Sequence, residues 1–351
     1  MGGKCPGTCC RGWLIPIDEE DLERFKKEKG RLGFELFLAT GAYRRTKMNL
    51  GSGECRFHTG EGLCSLQLKK GHDFIPWACR SFPRFYRNYG DFEERYLDLS
   101  CIAAAKMFVE NADSLKLIEE DDDEPATRPC TTNDDRVFLD GLIRLRREII
   151  EETGKETVQV SRLTDSLYKF ACDLQDTYAH GGTMEDLPPL KDRLKAEADG
   201  ACTFPLPPDT LNEFIETAIR HFGQKKTGPA LYGLLSDALA ITGKYRHDQS
   251  GFTDKVEGFC SKNTKLLPIL GGYMSYYLYQ YFLGIYETYS FRKVTTLGII
   301  HMNMILLLAI TYAHDGRDLT EDDLAYIISI YNRKAFFNET IEDSMYDLFE
   351  R

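Results

Sequence analysis

Seven cysteines lie within the first 101 residues of this 351-residue chain, and their type and spacing favour metal chemistry. They are Cys5, Cys9, Cys10, Cys55, Cys64, Cys79 and Cys101. The thiolate is the form of cysteine that binds metal, and its charge costs less energy when a cation shares it. No apolar secretory segment follows Met1, so we expect a cytoplasmic protein with reduced thiols rather than disulfides. The cysteines therefore predict a metal site.

The spacing of these cysteines indicates which metal they bind. A tetrahedral zinc ion takes four ligands, and a 4Fe-4S cluster takes four thiolates, one for each iron. Seven cysteines exceed one such site, so either four of them bind one centre or two metals are bound. Zinc ribbons supply ligands as paired C-x2-C knuckles, which this sequence lacks. The irregular spacing favours a 4Fe-4S cluster, with zinc as the alternative and a set of buried free thiols as the competing structural interpretation.

The segment around Cys79 carries residue types that suit an anionic cluster. Arg80 and Arg84 can offset negative charge, and Trp77 and Phe82 can exclude water. The same residues also suit an ordinary basic, aromatic loop. The remaining cysteines are scattered singly, and we expect them to be small core or incidental residues. They are Cys130, Cys172, Cys202 and Cys260.

Three parts of the chain differ in composition. Residues 1–118 form the cysteine-rich region, where a helix is predicted from Asp18 towards Leu38 and the glycine- and proline-rich remainder predicts loops. The acidic run from Glu119 to Glu124 repels itself and predicts a solvated linker over 119–136. Residues 137–351 show apolar side chains at helical spacing and no series of alternating strands. The prediction is a mainly α protein, a loop-rich cysteine region followed by an all-α helical bundle.

Apolar stripes predict the helices of the bundle. They run over 138–149, 163–178, 214–222, 231–239, 266–289, 294–313 and 324–331. The predicted start signals are Ser161, the capping box Thr210-x-x-Glu213, and Thr320. The glycines that predict helix ends are Gly154, Gly223 and Gly243.

Two global properties exclude classes of partner. The formal net charge of −11 argues against nucleic-acid binding, which needs a basic face. The stretch from Val294 to Ala313 has no Asp, Glu, Lys or Arg, but it carries His301, Asn303 and three threonines. These polar side chains are unfavourable in lipid, so we predict a buried core helix and no membrane insertion. His301 is then a core histidine rather than a ligand.

The cysteine segments together carry a family resemblance. The pattern is Cys5-x3-Cys9-Cys10-x2-Trp13, Cys55-x8-Cys64-Ser65-Leu66, Cys79-Arg80-x-Phe82-Pro83-Arg84 and Ser100-Cys101. In this pattern the chain resembles the flagellin lysine-N-methylases, and its last steps are similar to a broader group of proteins with a zinc- or iron-chelating cysteine cluster. The stretch from Leu270 to Tyr279 also resembles a tyrosine-rich helix of the methylases.

The resemblance implies a methyltransferase that moves a methyl group from S-adenosylmethionine to lysine side chains of flagellin. It also implies a 4Fe-4S cluster on the N-terminal cysteines, about four of the seven being ligands. Gly271-Gly272 is a lone pair inside a helical pattern and not the glycine-rich loop of a Rossmann methyltransferase. Tyr273 and Tyr277 share one helix face and are the candidates for lining the donor site, although such aromatic stripes are more often core.

The chemistry of the transfer sets one requirement. The lysine must be neutral, so its pKa must fall by desolvation and a Tyr, Asp or Glu must take the proton. The sequence assigns no catalytic residue. Cys5, Cys9 and Cys10 lack the last spacing of a radical-type Cys-x3-Cys-x2-Cys triplet, which favours polar transfer. The alternatives to an enzyme are a non-catalytic metal-binding interaction module and a redox or metal-handling protein.

Overall fold

The computed structural model describes most of the chain. The described residues are 8–11, 15–44, 47–48, 54–121, 130, 135–153, 160–187, 192, 204–227, 229–314, 316–335 and 339–350. They are mainly α-helical, as predicted. The chain divides into two compact units, the first comprising Met1–Arg87 and Glu94–Ala105 and the second comprising Asn88–Glu93 and Lys106–Arg351. Most of the predicted linker, at 122–129 and 131–134, lies outside the described residues, so the division at 118 and 136 stays a prediction.

The first unit begins with a short strand and two helices. Strand β1 (Ile15–Pro16) pairs antiparallel with β2 (Lys47–Met48). Asp18 caps helix α1 (Glu19–Lys26), as predicted, because its side chain accepts a hydrogen bond from the Asp21 amide at 2.7 Å. The prediction of one helix towards Leu38 is wrong. Helix α2 (Gly30–Ala39) begins at Gly30 with a φ of 66°, a left-handed conformation that interrupts a helix and that glycine adopts readily.

The rest of the cysteine-rich region is not the loop that was predicted. It contains three short helices and a hairpin: α3 (Ser65–Lys70), α4 (Trp77–Ser81), β3 (Arg84–Asn88), β4 (Glu93–Leu97) and α5 (Ile102–Asn111). The two hairpin strands read RFYRN and EERYL. Charged and aromatic side chains do not alternate strictly with apolar ones there, so the usual period-two signal of a half-buried strand is absent.

The first unit has its own apolar core. The core residues are Ile15, Ile17, Phe25, Leu36, Ala39, Met48, Cys55, Phe57, Leu66 and Ile75. Cys10, Cys64 and Cys79 pack against this core. Cysteines from three distant segments therefore lie on the same apolar cluster.

Helices make up the second unit as the structure describes it. They are α6 (Arg136–Thr153), α7 (Val160–Ala179), α8 (Pro208–Thr227), α9 (Pro229–Lys244), α10 (Gln249–Lys262), α11 (Leu266–Tyr281), α12 (Ile285–Thr288), α13 (Phe291–Tyr312), α14 (Glu321–Ala335) and α15 (Glu339–Phe349). Each predicted apolar stripe except that over 266–289 falls in a single helix. Thr320 caps α14, as predicted, because its hydroxyl accepts a hydrogen bond from the Asp323 amide at 3.1 Å.

Several predicted helix ends are wrong. Gly223 lies inside α8, and Thr210 lies inside the same helix because Pro208 begins it; proline is well suited to the first helical position. The stretch predicted over 266–289 is interrupted by a 3-10 turn, Phe282–Gly284, and ends at Tyr289 with a φ of 53°. Helices α10 and α15 were not predicted.

Helix α13 is the centre of the second unit. It contacts α7, α9, α11, α14 and α15. In the described part of the chain it is the one helix long and apolar enough to cross a membrane, and 94% of its most apolar 18-residue window is buried inside the protein. This burial agrees with the prediction of a core helix.

His301 lies in this helix as the predicted core histidine. It has no exposed surface, and its Nδ1 atom lies 2.8 Å from the Tyr331 hydroxyl oxygen. Burial lowers the pKa of His301 to about 3. The ring is therefore neutral at neutral pH and takes part in a buried polar contact.

Candidate metal centre

The residues between Cys55 and Cys64 form a tight turn that brings these two cysteines together. Ser65 N donates a hydrogen bond to Phe57 O at 2.7 Å, and His58 forms an antiparallel bridge with Cys64. These contacts bring the segment at Cys64 back beside the segment at Cys55, with eight residues between the two cysteines. The Cys55-x8-Cys64 spacing is thus the length of one closed turn.

A second segment with two cysteines lies beside this turn. Cys55 N donates a hydrogen bond to Cys10 O at 2.7 Å. The adjoining residues Arg11 and Glu54 form an antiparallel bridge, and Arg11 Nε lies 2.8 Å from Glu54 Oε1. Cys9 and Cys10 end a short 3-10 turn, so this pairing carries both thiols towards the Cys55 segment.

Helix α1 holds the turn that precedes Cys79. Asp21 is 1% exposed, and its Oδ2 atom accepts a hydrogen bond from Trp77 N at 3.0 Å. Arg24 forms an ion pair with Asp21, and its Nη2 atom donates to Ile75 O at 3.3 Å. Two backbone groups just before Cys79 are therefore fixed by a charged pair on another element.

Three of the candidate thiols have other candidate thiols close enough to raise their pKa values. Burial raises the pKa of Cys55, and the nearby Cys64 and Cys9 raise it further. Burial also raises the pKa of Cys79, with added contributions from Cys55, Cys9 and Cys64. A hydrogen bond with Cys9 and burial raise the pKa of Cys10, and Cys55 and Cys64 again contribute. Five of the seven candidate ligands are thus brought together.

Raised thiol pKa values have a chemical consequence. Without a cation, Cys10, Cys55 and Cys79 hold their protons, because burial and the neighbouring thiols oppose the thiolate form. A metal or cluster reverses this preference and releases protons as it binds. We therefore expect metal loading of this site to fall as the pH is lowered.

Three buried nitrogen atoms test whether an anionic group fits here. Arg24 Nε, His58 Nε2 and Arg80 Nε are buried without a hydrogen-bond partner among the described residues. Buried donors normally have acceptors, and an unsatisfied one costs free energy. Thiolates and inorganic sulfides are acceptors of this kind. Thiols, together with an unsatisfied nitrogen on the residue after Cys79 and on His58 in the Cys55–Cys64 turn, are the types of group that an anionic cluster takes.

The arrangement of the thiols differs from a single-ion site. Among the described residues, no group of three or more Cys, His, Asp or Glu side chains is placed to hold one metal ion. In a tetrahedral zinc site with Zn–S bonds of about 2.3 Å, the sulfurs lie only about 3.8 Å apart. A four-iron cluster takes one thiolate per iron, so its ligands surround a larger body.

Cys5 and Cys101 are the two remaining predicted ligands. Cys5 lies outside the described residues. Cys101 is 7% exposed, and its amide donates a hydrogen bond to Asp98 O at 3.1 Å just before α5. A ligand role for these two cysteines stays a prediction.

Sequence reasoning missed Asp21 and His58, although each had a signal. Asp21 precedes Phe25 by four residues, which places a carboxylate on the buried stripe of α1. His58 lies between Cys55 and Cys64, where an imidazole is a candidate neighbour of metal.

The predicted donor-site tyrosines lie in the core of the second unit. Tyr273 donates a hydrogen bond from its hydroxyl to Asn332 Oδ1 at 2.9 Å. The ring of Tyr277 stacks on that of Tyr281 at 4.8 Å between centroids. Tyr273 and Tyr277 are 2% and 5% exposed, which favours the core interpretation, and their role as donor-site residues stays a prediction.

An apolar cavity also borders helix α11. Its volume is about 10 Å³, room for about one water molecule. It is lined by Ile149, Leu167, Phe170, Ala171, Leu174, Leu278, Phe282, Phe291 and Thr295. A nucleoside sulfonium does not fit this volume, so this cavity is not the donor site.

Comparison with known proteins finds distant relatives, two of which are named lysine-N-methylase. No family model and no solved structure matches it. It is 23% identical over 127 residues to the protein named lysine-N-methylase of Salmonella typhimurium, and equally to that of Salmonella choleraesuis, a match covering 34% of this chain and 32% of each relative. It is also 23% identical to the flagellar biosynthetic protein FliU of Salmonella muenchen, over 34% of this chain and 75% of that protein. The chain thus shares a distant similarity with lysine-N-methylases over about a third of their length.

Proposed function

We propose that this protein is an S-adenosylmethionine-dependent lysine N-methyltransferase that acts on flagellin and carries a 4Fe-4S cluster. The observation that carries the proposed reaction is the similarity to proteins named lysine-N-methylase. The similarity to a flagellar biosynthetic protein supports flagellin as the substrate. The gathered thiols of the first unit support the cluster.

The coupling between thiols points to four of them as ligands. Cys79 is coupled to Cys9, Cys55 and Cys64. Cys55 is in turn coupled to Cys9 and Cys64. We propose Cys9, Cys55, Cys64 and Cys79 for the four iron positions, with Cys10, which Cys9, Cys55 and Cys64 influence as well, as the alternative to Cys9. Cys10, which is hydrogen-bonded to Cys9, is the extra thiol beside them.

The proposed transfer is a polar displacement. The neutral lysine nitrogen attacks the sulfonium methyl group, a nitrogen–carbon bond forms, the sulfur–carbon bond breaks and the amine then loses a proton. Positioning the two reactants in line supplies most of the acceleration in such reactions. When bound, the cluster supplies a rigid crosslink, a binding point for the donor or a redox centre. The described cysteines would bind it, and Arg80, Arg84, Trp77 and Phe82 would offset its charge and exclude water from it.

Methyl transfer to flagellin tests the proposal directly. Cluster-loaded protein is incubated without oxygen with S-adenosylmethionine carrying a labelled methyl group and with flagellin from the same genome. The expected result is label on lysine side chains of flagellin. Flagellin with chemically acetylated lysines is the control and should stay unlabelled, because an amide nitrogen is not nucleophilic. Unlabelled flagellin in the presence of an intact cluster would contradict the enzyme and favour a metal-binding interaction module.

A further inference from the structure

A buried histidine lies between two of the assigned ligands. His58 N donates a hydrogen bond to Cys55 O at 3.0 Å, and the His58 backbone forms an antiparallel bridge with Cys64. Directly opposite residues of an antiparallel pair place their side chains on the same face, with Cβ atoms about 4.5–5.5 Å apart. The imidazole of His58 therefore lies on the face that carries the Cys64 thiol.

The environment of this imidazole leaves one nitrogen unsatisfied. The His58 side chain is 6% exposed. Its Nδ1 atom lies 3.7 Å from Glu54 Oε2, which is longer than a hydrogen bond. Its Nε2 atom is buried without a hydrogen-bond partner in the described part of the chain. A buried ring nitrogen beside a metal-binding thiol thus lacks the partner that buried polar groups normally have.

We infer that His58 donates a hydrogen bond from Nε2 to a sulfur atom of the proposed cluster and so raises the reduction potential of that cluster. The inference rests on the proposed function, because it needs the cluster. Hydrogen bonds to cluster sulfurs are among the factors that set the potential. They favour the reduced cluster, which carries one more negative charge and is the better acceptor.

The shape of the site supports a donor role rather than a fifth ligand. Cys9, Cys55, Cys64 and Cys79 already supply one thiolate for each of four irons. A hydrogen bond to sulfur requires neither a vacant iron nor a shared centre.

The test compares reduction potentials of full-length variants that retain iron. His58→Leu removes the donor and is expected to shift the midpoint potential to more negative values at wild-type iron content. His58→Gln restores an N–H near the position of Nε2 and is expected to return the midpoint towards the wild-type value. His72→Leu is the matched control, because the His72 side chain is 58% exposed in the same unit, and its midpoint should not move.

The outcomes separate this inference from the proposed function. A His58→Leu protein with full iron and the wild-type midpoint overturns the inference and leaves the proposed methyltransferase standing. Wild-type protein that binds zinc or no metal overturns the cluster and the inference together. If His58→Leu does not fold, the midpoint potential of His58→Asn is measured instead. The asparagine side chain is shorter, so its amide N–H does not reach the cluster. A wild-type midpoint in His58→Asn then overturns the inference, and a more negative one supports it.

Discussion

Replacing Cys55 with serine is expected to remove nearly all iron from the protein. Cys55 is buried in the core of the first unit and is coupled to Cys9, Cys64 and Cys79. A serine hydroxyl keeps its proton at neutral pH and does not replace a thiolate at iron. We expect about four irons per chain in the wild type and less than about one in Cys55→Ser, measured by metal analysis and by loss of the visible absorption of the cluster.

A buried cysteine elsewhere in the chain provides the matched control. Cys260 is 8% exposed, compared with 9% for Cys55, and it lies in α10 of the second unit. Burial raises the pKa of Cys260 to about 11, so both substitutions exchange a protonated, buried thiol for a hydroxyl. Cys260→Ser is expected to keep its iron. Equal iron loss from both variants would indicate general destabilisation and would contradict the ligand assignment.

Iron content in serine variants also distinguishes the four assigned ligands from the neighbouring Cys10. Cys9→Ser, Cys64→Ser and Cys79→Ser should behave like Cys55→Ser, because each removes the only thiolate assigned to one iron. Cys10→Ser should retain the cluster. If Cys10→Ser loses its iron and Cys9→Ser keeps it, Cys10 rather than Cys9 is the fourth ligand.

Two adjacent glycines of α11 are expected to respond to alanine in opposite directions. A Cβ atom at Gly272 would lie 2.3 Å from Ala112 O and 3.0 Å from Ala112 C, both backbone atoms. A Cβ atom at Gly271 would meet no atom within 4 Å. The helix can therefore accept a methyl group at one position and not at the next.

The expected sizes follow from packing and helix propensity. Gly272→Ala should lower the free energy of unfolding by about 1–3 kcal/mol, the range for overpacking, because the backbone at Ala112 must move. Gly271→Ala should raise it by about 0.5–1 kcal/mol, because glycine is a poor residue inside a helix. Denaturant titration of both variants measures the difference. Equal stability of the two variants would contradict the close approach at Gly272.

The helices of the second unit were largely predictable from the sequence, because their apolar residues repeat at helical spacing. Helix α13 is an example, since its uncharged length and its polar His301 and Asn303 indicated a core position. Helix α10 was missed because its buried stripe has only three residues, Phe252, Val256 and Cys260. Helix ends were less predictable, as Gly223 shows: a glycine inside a helix costs only about 1 kcal/mol, which packing can offset.

The candidate site was predictable in its residue types and not in its geometry. The sequence indicated thiols and metal, but the seven cysteines offered no way to choose among them. The choice depends on contacts between distant segments, such as Cys55 N to Cys10 O and Asp21 to Trp77 N. Such pairings arise from tertiary packing and leave no periodic signal in the sequence.

Metal and sulfide analysis of the wild-type protein tests the central claim most directly. The protein is purified without oxygen, and iron, zinc and acid-labile sulfide are measured per chain. The four assigned thiols predict about four irons and about four sulfides, with little zinc. One zinc per chain without labile sulfide, in protein that is folded, would contradict the cluster.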